Sequence, residues 1–469
     1  MTLKVVLEIL LLIHAQSTLV LSTGENVTTA SGAAASAVKR IEGAKELKEP
    51  IFLTPLIDDF RAEEARNMSH VRGIPSDPSD PPTDSYAGLI TVNKRLNANL
   101  FFWFFPGTGS GPLILWLEGG PGVTSLFTAF TGNGPFVVQA DGSLSRRQFS
   151  WTNFSSMIYV DSPVGTGYSF TDETSAHISY SRNSSDAASN LYTFMDQFFW
   201  LFPEYQSNEF YIAASSHATR DAAALAAKFH EDGVQAFINF QGLLVTNPLL
   251  VPIIQTDYYA DYFYQNGLIN VNEFQHFKRE QAKIRYFLRK GNPVSAYRVY
   301  DDLIGNRFTE GGKSYFQTVT GISTFNNMLD TTYSPELEHF KSFVTRADVR
   351  EALHVGSIPF HARNDRVAAA LIPDFMSSAE RSLSQLMGRY RVAFLSGNLD
   401  VLVPVASVAR AVSSVRWRCQ QQLQKADKEM GVWSVDQQQQ VIGHMSSACD
   451  TYVLVVRYVF AYALLYLLY

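Results

Sequence analysis

Between Tyr86 and Pro248 the chain alternates two textures. Short runs rich in β-branched and aromatic residues ("AGLITVN", "NLFFWFF", "PLILWLEGG", "MIYVDSPVG", "FYIAA", "AFINFQGLLVTNP") give way to longer segments with apolar residues at helical spacing, such as "AASNLYTFMDQFFWLFPEY". Strands that alternate with helices in this way build a doubly wound, mostly parallel α/β sheet. The rhythm breaks over residues 250–345, which are helical, aromatic and charged and suit an insertion. It resumes at "TRADVREALHVG" and continues through "RVAFLSGNLDVLVP" to "QQQVIGHM". The resulting organisation is a signal peptide over 1–22, a variable leader over 23–82, and a first core part over 83–249. The helical insertion over 250–345 follows, then a second core part over 346–469 that ends in an apolar helix.

A core of this kind needs apolar material, and 46% hydrophobic residues in 469 supply it. The formal charge of −6 and the lack of any Lys/Arg block argue against a nucleic-acid partner. "MTLKVVLEILLLIHAQS" has the lysine, apolar run and small-residue exit of a secretory signal. Sequons at Asn26, Asn67, Asn153 and Asn183 agree with passage through the secretory pathway, to an extracellular or lysosomal destination. Pairing the two cysteines, Cys419 and Cys449, would close a loop of about 30 residues. The ten histidines are scattered and no CxxC or HExxH occurs, so the sequence implies no metal and no cofactor. Residues 452–469, "YVLVVRYVFAYALLYLLY", read first as a buried terminal helix, with a membrane anchor as the alternative. No sequence signal sets the oligomeric state.

Acyl transfer by a serine needs a base, an acid that orients the base, and N–H donors for the oxyanion. The α/β-hydrolase arrangement places them in the chain order Ser, Asp, His at strand ends. Here Ser216 follows "FYIAAS", Asp400 ends "SGNLD" and His444 lies in "IGHM". The glycine loop "WLEGGPG" would bring one oxyanion amide, from Gly120, and the residue after the serine, His217, the other. His217 adjoins the nucleophile in sequence, so it reads as a pocket wall rather than the base.

The stretches "LILWLEGGPGVTSLF", "NGPFVV", "YVDSPVGTGYSFTDE", "FPEYQSNEFYIAASSHA", "VREALHVG" and "LSGNLDVLV" resemble the serine carboxypeptidase family, most of all its vitellogenic-like members. The resemblance covers residues 84–270 densely and 340–445 more thinly. It implies an α/β-hydrolase fold with a helical insertion and removal of C-terminal residues from peptide substrates, with Ser216, Asp400 and His444 as the triad.

This chain departs from the family where substrate is held. The family grips the peptide's terminal carboxylate with two glutamates and an amide; here those positions are Ser215, Gly132 and Glu118. Glu118, Gly119 and Ser215 are therefore the substrate-contacting candidates, with altered carboxylate recognition. Ala214 and Thr219 also replace glycines around the serine, and "SSACDT" replaces the family's "PYDQP" after the histidine. The sequence thus supports a serine-type carboxypeptidase-like hydrolase. The alternative is a weak or inactive relative that binds peptides or proteins.

Overall fold

A computed structural model describes residues 48–74, 83–107, 111–233, 238–309, 311–325, 327–435 and 438–456. The expected signal peptide, Asn26 and residues 457–469 lie outside the described residues. Among those described are twelve strands: β1 (Tyr86–Asn93), β2 (Ala98–Phe105), β3 (Leu113–Leu117), β4 (Phe136–Val138), β5 (Leu144–Arg146), β6 (Ser156–Val160), β7 (Phe210–Ser215), β8 (Phe240–Thr246), β9 (Arg391–Gly397), β10 (Glu429–Val435), β11 (Gln438–Ala448) and β12 (Thr451–Val456). Ten of them form one sheet in the order β1-β2-β6-β3-β7-β8-β9-β12-β11-β10. The six strands from β6 to β12 in that order run parallel, and antiparallel pairs flank them on both sides. This is the α/β sheet expected from the alternating textures.

Burial explains why the central strands read as unbroken apolar runs. Every residue of the parallel strands β3 and β6, and of the antiparallel β2 beside them, is buried, as a sheet covered on both faces requires. Side chains alternate between two cores. Leu115, Leu117, Ile212 and Ala214 face the helices Ser184–Leu201 and Ala218–Glu231, whereas Ile114, Trp116 and Ala213 share a second core with Phe340 and Phe343 of the helix Glu336–Val344.

Residues 250–345 are built from helices, including Tyr259–Gln265, Val271–Arg289, Pro293–Tyr300 and Glu336–Val344. Phe263, Phe277, Ile284 and Phe316 make a third core, which closes on Phe375 and Val401. Two hydroxyls tie this unit to the end of β9. Tyr262 donates to the Asn398 carbonyl at 2.6 Å and Tyr259 to the Leu402 carbonyl at 2.7 Å. The insertion therefore sits over the turn that carries Asp400.

The tail differs from expectation. Thr451–Val456 is strand β12, not the start of a helix, and it pairs with β9 and β11. Its run Tyr-Val-Leu-Val-Val is dominated by β-branched residues, which suit a strand enclosed on both sides. Among the described residues no helix is long and apolar enough to cross a membrane. Cys419 and Cys449 form a disulfide. Asn67 and Asn153 are exposed, and the half-buried Asn183 caps the helix Ser184–Leu201 by accepting from the Asp186 amide.

Candidate active site

Strand β7 ends at Ser215 and the helix Ala218–Glu231 begins three residues later. The chain makes this reversal by putting Ser216 at φ +52°, a left-handed conformation uncommon for serine. Backbone bonds hold it there: the Ser216 amide donates to Thr246 O at 2.9 Å, and its carbonyl accepts from Leu249 N at 3.2 Å. The backbone here has the shape of a nucleophile elbow, made without the usual flanking glycines. Ala214 is fully buried, so its methyl is absorbed by the core.

Gly119 follows β3, the strand beside β7, and lies against the elbow. A Cβ there would fall 2.4 Å from Ser215 O, 2.8 Å from His217 N and 2.8 Å from Ser216 Cβ. Only glycine fits, so Gly119 acts as the spacer that lets the loop approach the serine. Among the described residues, neither the Gly120 nor the His217 amide donates a hydrogen bond. Both remain available as the oxyanion donors the sequence suggested.

The substrate-contacting candidates are less open. Glu118 is 5% exposed and its carboxylate is turned inward, accepting from the Thr128 hydroxyl and from the Gly119 amide at 3.0 Å. Ser215 is wholly buried, with its hydroxyl unpartnered. Gly132 ends the helix Leu126–Thr131 and offers no side chain. The His217 ring is buried and stacks on Phe375 at 5.3 Å between centroids. Burial, with Arg220 adding to it, pushes the imidazole down to about 3, so it stays neutral and cannot serve as a base near neutral pH.

Asp400 lies three residues beyond β9 and is fully buried. One carboxylate oxygen accepts from Asn247 Nδ2 at 2.8 Å and the other from Val403 N at 2.6 Å. Burial pushes this carboxyl up to about 8, and the amides that bond it pull the other way without prevailing. Asn247 itself is left-handed at φ +42° and accepts from Gly397 N at 2.9 Å. It ties β8 to the Asp400 turn.

The structure does not bring His444 to this place. His444 lies inside β11, opposite Met430 on one side and Val455 on the other. The neighbouring Met445 shares a ladder row with Leu454, Leu395, Thr246 and Ser215, so His444 is four strand steps from the strand that leads into Ser216. Each step is about 4.8 Å, which places the two roughly 19 Å apart along the sheet. A hydrogen bond needs about 3 Å. Ser216 and Asp400 thus occupy the same end of the sheet, and His444 is four strand steps from the strand that ends at Ser216 and two from the strand that ends before Asp400. Residues 457–469, which follow β12 in sequence, contain no histidine.

Two positioning residues escaped the sequence reading. Asn247 is one. The other is Asp161, at the end of β6, which accepts from Thr124 Oγ1 at 2.6 Å, Ser125 N at 2.9 Å and Tyr168 N at 2.9 Å, so it anchors the chain just beyond the Gly119–Gly120 loop. Its signal was present in "VDSPVGTGYSF", an acid at a strand end before a glycine loop. Among the described residues no cluster of His, Cys, Asp or Glu could hold a metal ion. A cleft of about 890 Å³, lined by Lys48, Glu63, His70 and His354 among others, includes none of Ser216, Asp400 or His444.

A strained serine between strand and helix, beside a glycine loop at the C-terminal edge of a parallel sheet, is the hallmark of the α/β-hydrolase class. Comparison with known proteins narrows this. The serine carboxypeptidase family model matches residues 75–457. The human "probable serine carboxypeptidase CPVL" is 35% identical over 417 residues, covering 87% of this chain and 85% of that protein. The Aedes aegypti vitellogenic carboxypeptidase is 36% identical over 363 residues, covering 76% and 75%. The chain belongs to the serine carboxypeptidase family. In fold it is similar to the Saccharomyces cerevisiae prohormone-processing carboxypeptidase Kex1(delta)p, with a TM-score of 0.73 at 16% identity over 85% of this chain and 93% of that one.

Proposed function

We propose that this chain is a serine carboxypeptidase relative that binds peptides beside Ser216 and hydrolyses them weakly or not at all. The observation that carries this reading is the separation of His444 from Ser216 by four strand steps, with the Asp400 carboxylate engaged by Asn247 and Val403 instead of an imidazole. A serine hydroxyl without a base is a poor nucleophile. The inward-turned Glu118 and the shielded Ser215 also favour altered recognition of a peptide's terminal carboxylate. The disulfide points to an oxidising compartment, which agrees with the N-terminal signal pattern. Secretory-pathway residence, extracellular or lysosomal, with glycans at the exposed Asn67 and Asn153, belongs to the same proposal.

The test compares binding with turnover. Fluorescence anisotropy should detect association of labelled free-acid peptides, while release of their C-terminal residues stays near background. Substituting His444→Ala should leave that residual rate unchanged. In an assembled triad, loss of the base costs about 10⁴-fold or more. Brisk release that His444→Ala or Ser216→Ala abolishes would restore the hydrolase reading.

A further inference from the structure

The helix Val271–Arg289 carries a charge pattern that the linear sequence hides. Its buried face consists of Phe277, Gln281 and Ile284, packed into the third core. On the opposite side Arg279, Lys283, Tyr286 and Lys290 recur at intervals of four, three and four residues, with Arg289 beside them, and all five are exposed. At about 1.5 Å per residue this stripe is roughly 17 Å long. No Lys/Arg block exists because the cations are interleaved with the residues of the buried face. The helical period gathers them.

Among the described residues the carboxylate that ion-pairs with a stripe member is Glu280, on Lys283. Going back toward the helix start the stripe continues through Gln275 and Asn272, both exposed. The helix's other cations have acid partners: Lys278 with Asp261, Arg285 with Asp257, and Lys283, the one stripe member so engaged, with Glu280. Among the described residues Arg279, Arg289 and Lys290 have no ion-pair partner. Arg279 and Lys290 on the stripe, with Arg289 on its flank, are unpaired cations on a protein whose formal charge is −6, and they mark a local field opposite in sign to the whole.

We infer that this stripe docks a linear sulfated polysaccharide. An extended polyanion can meet cations spread over such a length, whereas a single phosphate would meet only one or two. Tyr286 stands among the cations and offers a flat apolar face to a sugar ring. A membrane surface is a poorer fit, because Phe277 and Ile284 are committed to the core and the helix's exposed apolar side chains, Val271 and Tyr286, stand about 22 Å apart along it and form no continuous apolar face. This inference does not depend on whether Ser216 is catalytically active.

The experiment is retention of the full-length protein on immobilised heparin at neutral pH, eluted with sodium chloride. The bulk negative charge opposes retention, so binding reports the stripe. The parent should be retained above about 0.15 M salt. The quadruple variant Arg279→Gln, Lys283→Gln, Arg289→Gln, Lys290→Gln should bind roughly 10- to 100-fold more weakly, as expected for several exposed ion pairs. All four positions are exposed, and an unchanged thermal unfolding curve would confirm that the variant is folded. Three results would overturn the inference: flow-through of the parent, equal elution of parent and variant, or binding to phosphatidylserine vesicles without binding to heparin.

Discussion

Gly119 and Ser216 hold each other in place, and this contact gives the first prediction. A methyl at 119 would overlap the Ser215 carbonyl and the His217 amide, both backbone and unable to rotate away. Gly119→Ala should therefore lower the unfolding free energy by about 1–3 kcal/mol, the usual penalty of overpacking, and weaken peptide binding as the elbow shifts. A urea midpoint equal to the parent's would show that the loop yields freely. Ser216 was legible in the sequence because strand, small residues and helix follow one another there. Gly119 was read as a point of close approach to ligand, but the close neighbour is the elbow itself. Asn247 could not be found, because the bond from an asparagine of "VTNP" to an acid 153 residues away depends on the β8–β9 register. His444 was misplaced because "VIGHM" was taken as a strand end, whereas the strand runs on to Ala448.

The turn that follows explains that error. Ala448 pairs with Thr451, leaving Cys449 and Asp450 as a two-residue loop with φ of +47° and +59°. Positive φ at both positions is what a type I′ hairpin turn requires, a role usually signalled by Asn-Gly or Asp-Gly. Cys-Asp is an unusual pair for it, so the hairpin went unread. Length and apolarity alone cannot separate a buried strand from a helix, and the tail was misassigned for that reason. The central parallel strands were legible because burial on both faces makes them continuous apolar runs. The disulfide fastens this turn to Cys419, just before the helix Gln420–Lys425. Since the bridge spans 30 residues, Cys419→Ser with Cys449→Ser should cost about 3–4 kcal/mol on the chain-entropy account. Reductant should lower the parent's denaturation midpoint and leave the double variant's alone. A parent insensitive to reductant under unfolding conditions would mean the bridge contributes nothing.

Buried ionisable groups make the stability of the whole chain depend on pH. Burial pushes the carboxyls of Asp161, Asp221 and Asp400 up from 3.8 to about 6, 7 and 8. The folded state keeps protons that the unfolded chain releases, so each contribution is full below about pH 4 and is lost as pH rises through the folded value. His217 acts in the opposite sense. Burial takes it from 6.5 to about 3, so its contribution is full above pH 6.5 and is lost as pH falls. Asp374 and Asp365 also favour higher pH: burial raises them, but Arg220 outweighs it for Asp374 and Arg363 with Arg307 for Asp365, so their support is lost only below about pH 4. Between pH 4 and 6 three carboxyls oppose two imidazoles, His217 and His354, the second also lowered by burial; above 6.5, with Asp161 already ionised, Asp221 and then Asp400 act alone. Stability should therefore decline from mildly acidic pH toward pH 8, by at most about 1.4 kcal/mol per pH unit for each group. Asp400→Asn isolates the largest of these shifts. The asparagine cannot ionise, and its oxygen can still accept from the Val403 amide. Its NH₂ meets Asn247 Nδ2, a mismatch that costs the same at every pH and lowers the curve without tilting it. Melting temperatures measured from about pH 5 to pH 8 should fall less steeply for the variant than for the parent, and parallel curves would show that Asp400 is already ionised in the folded protein.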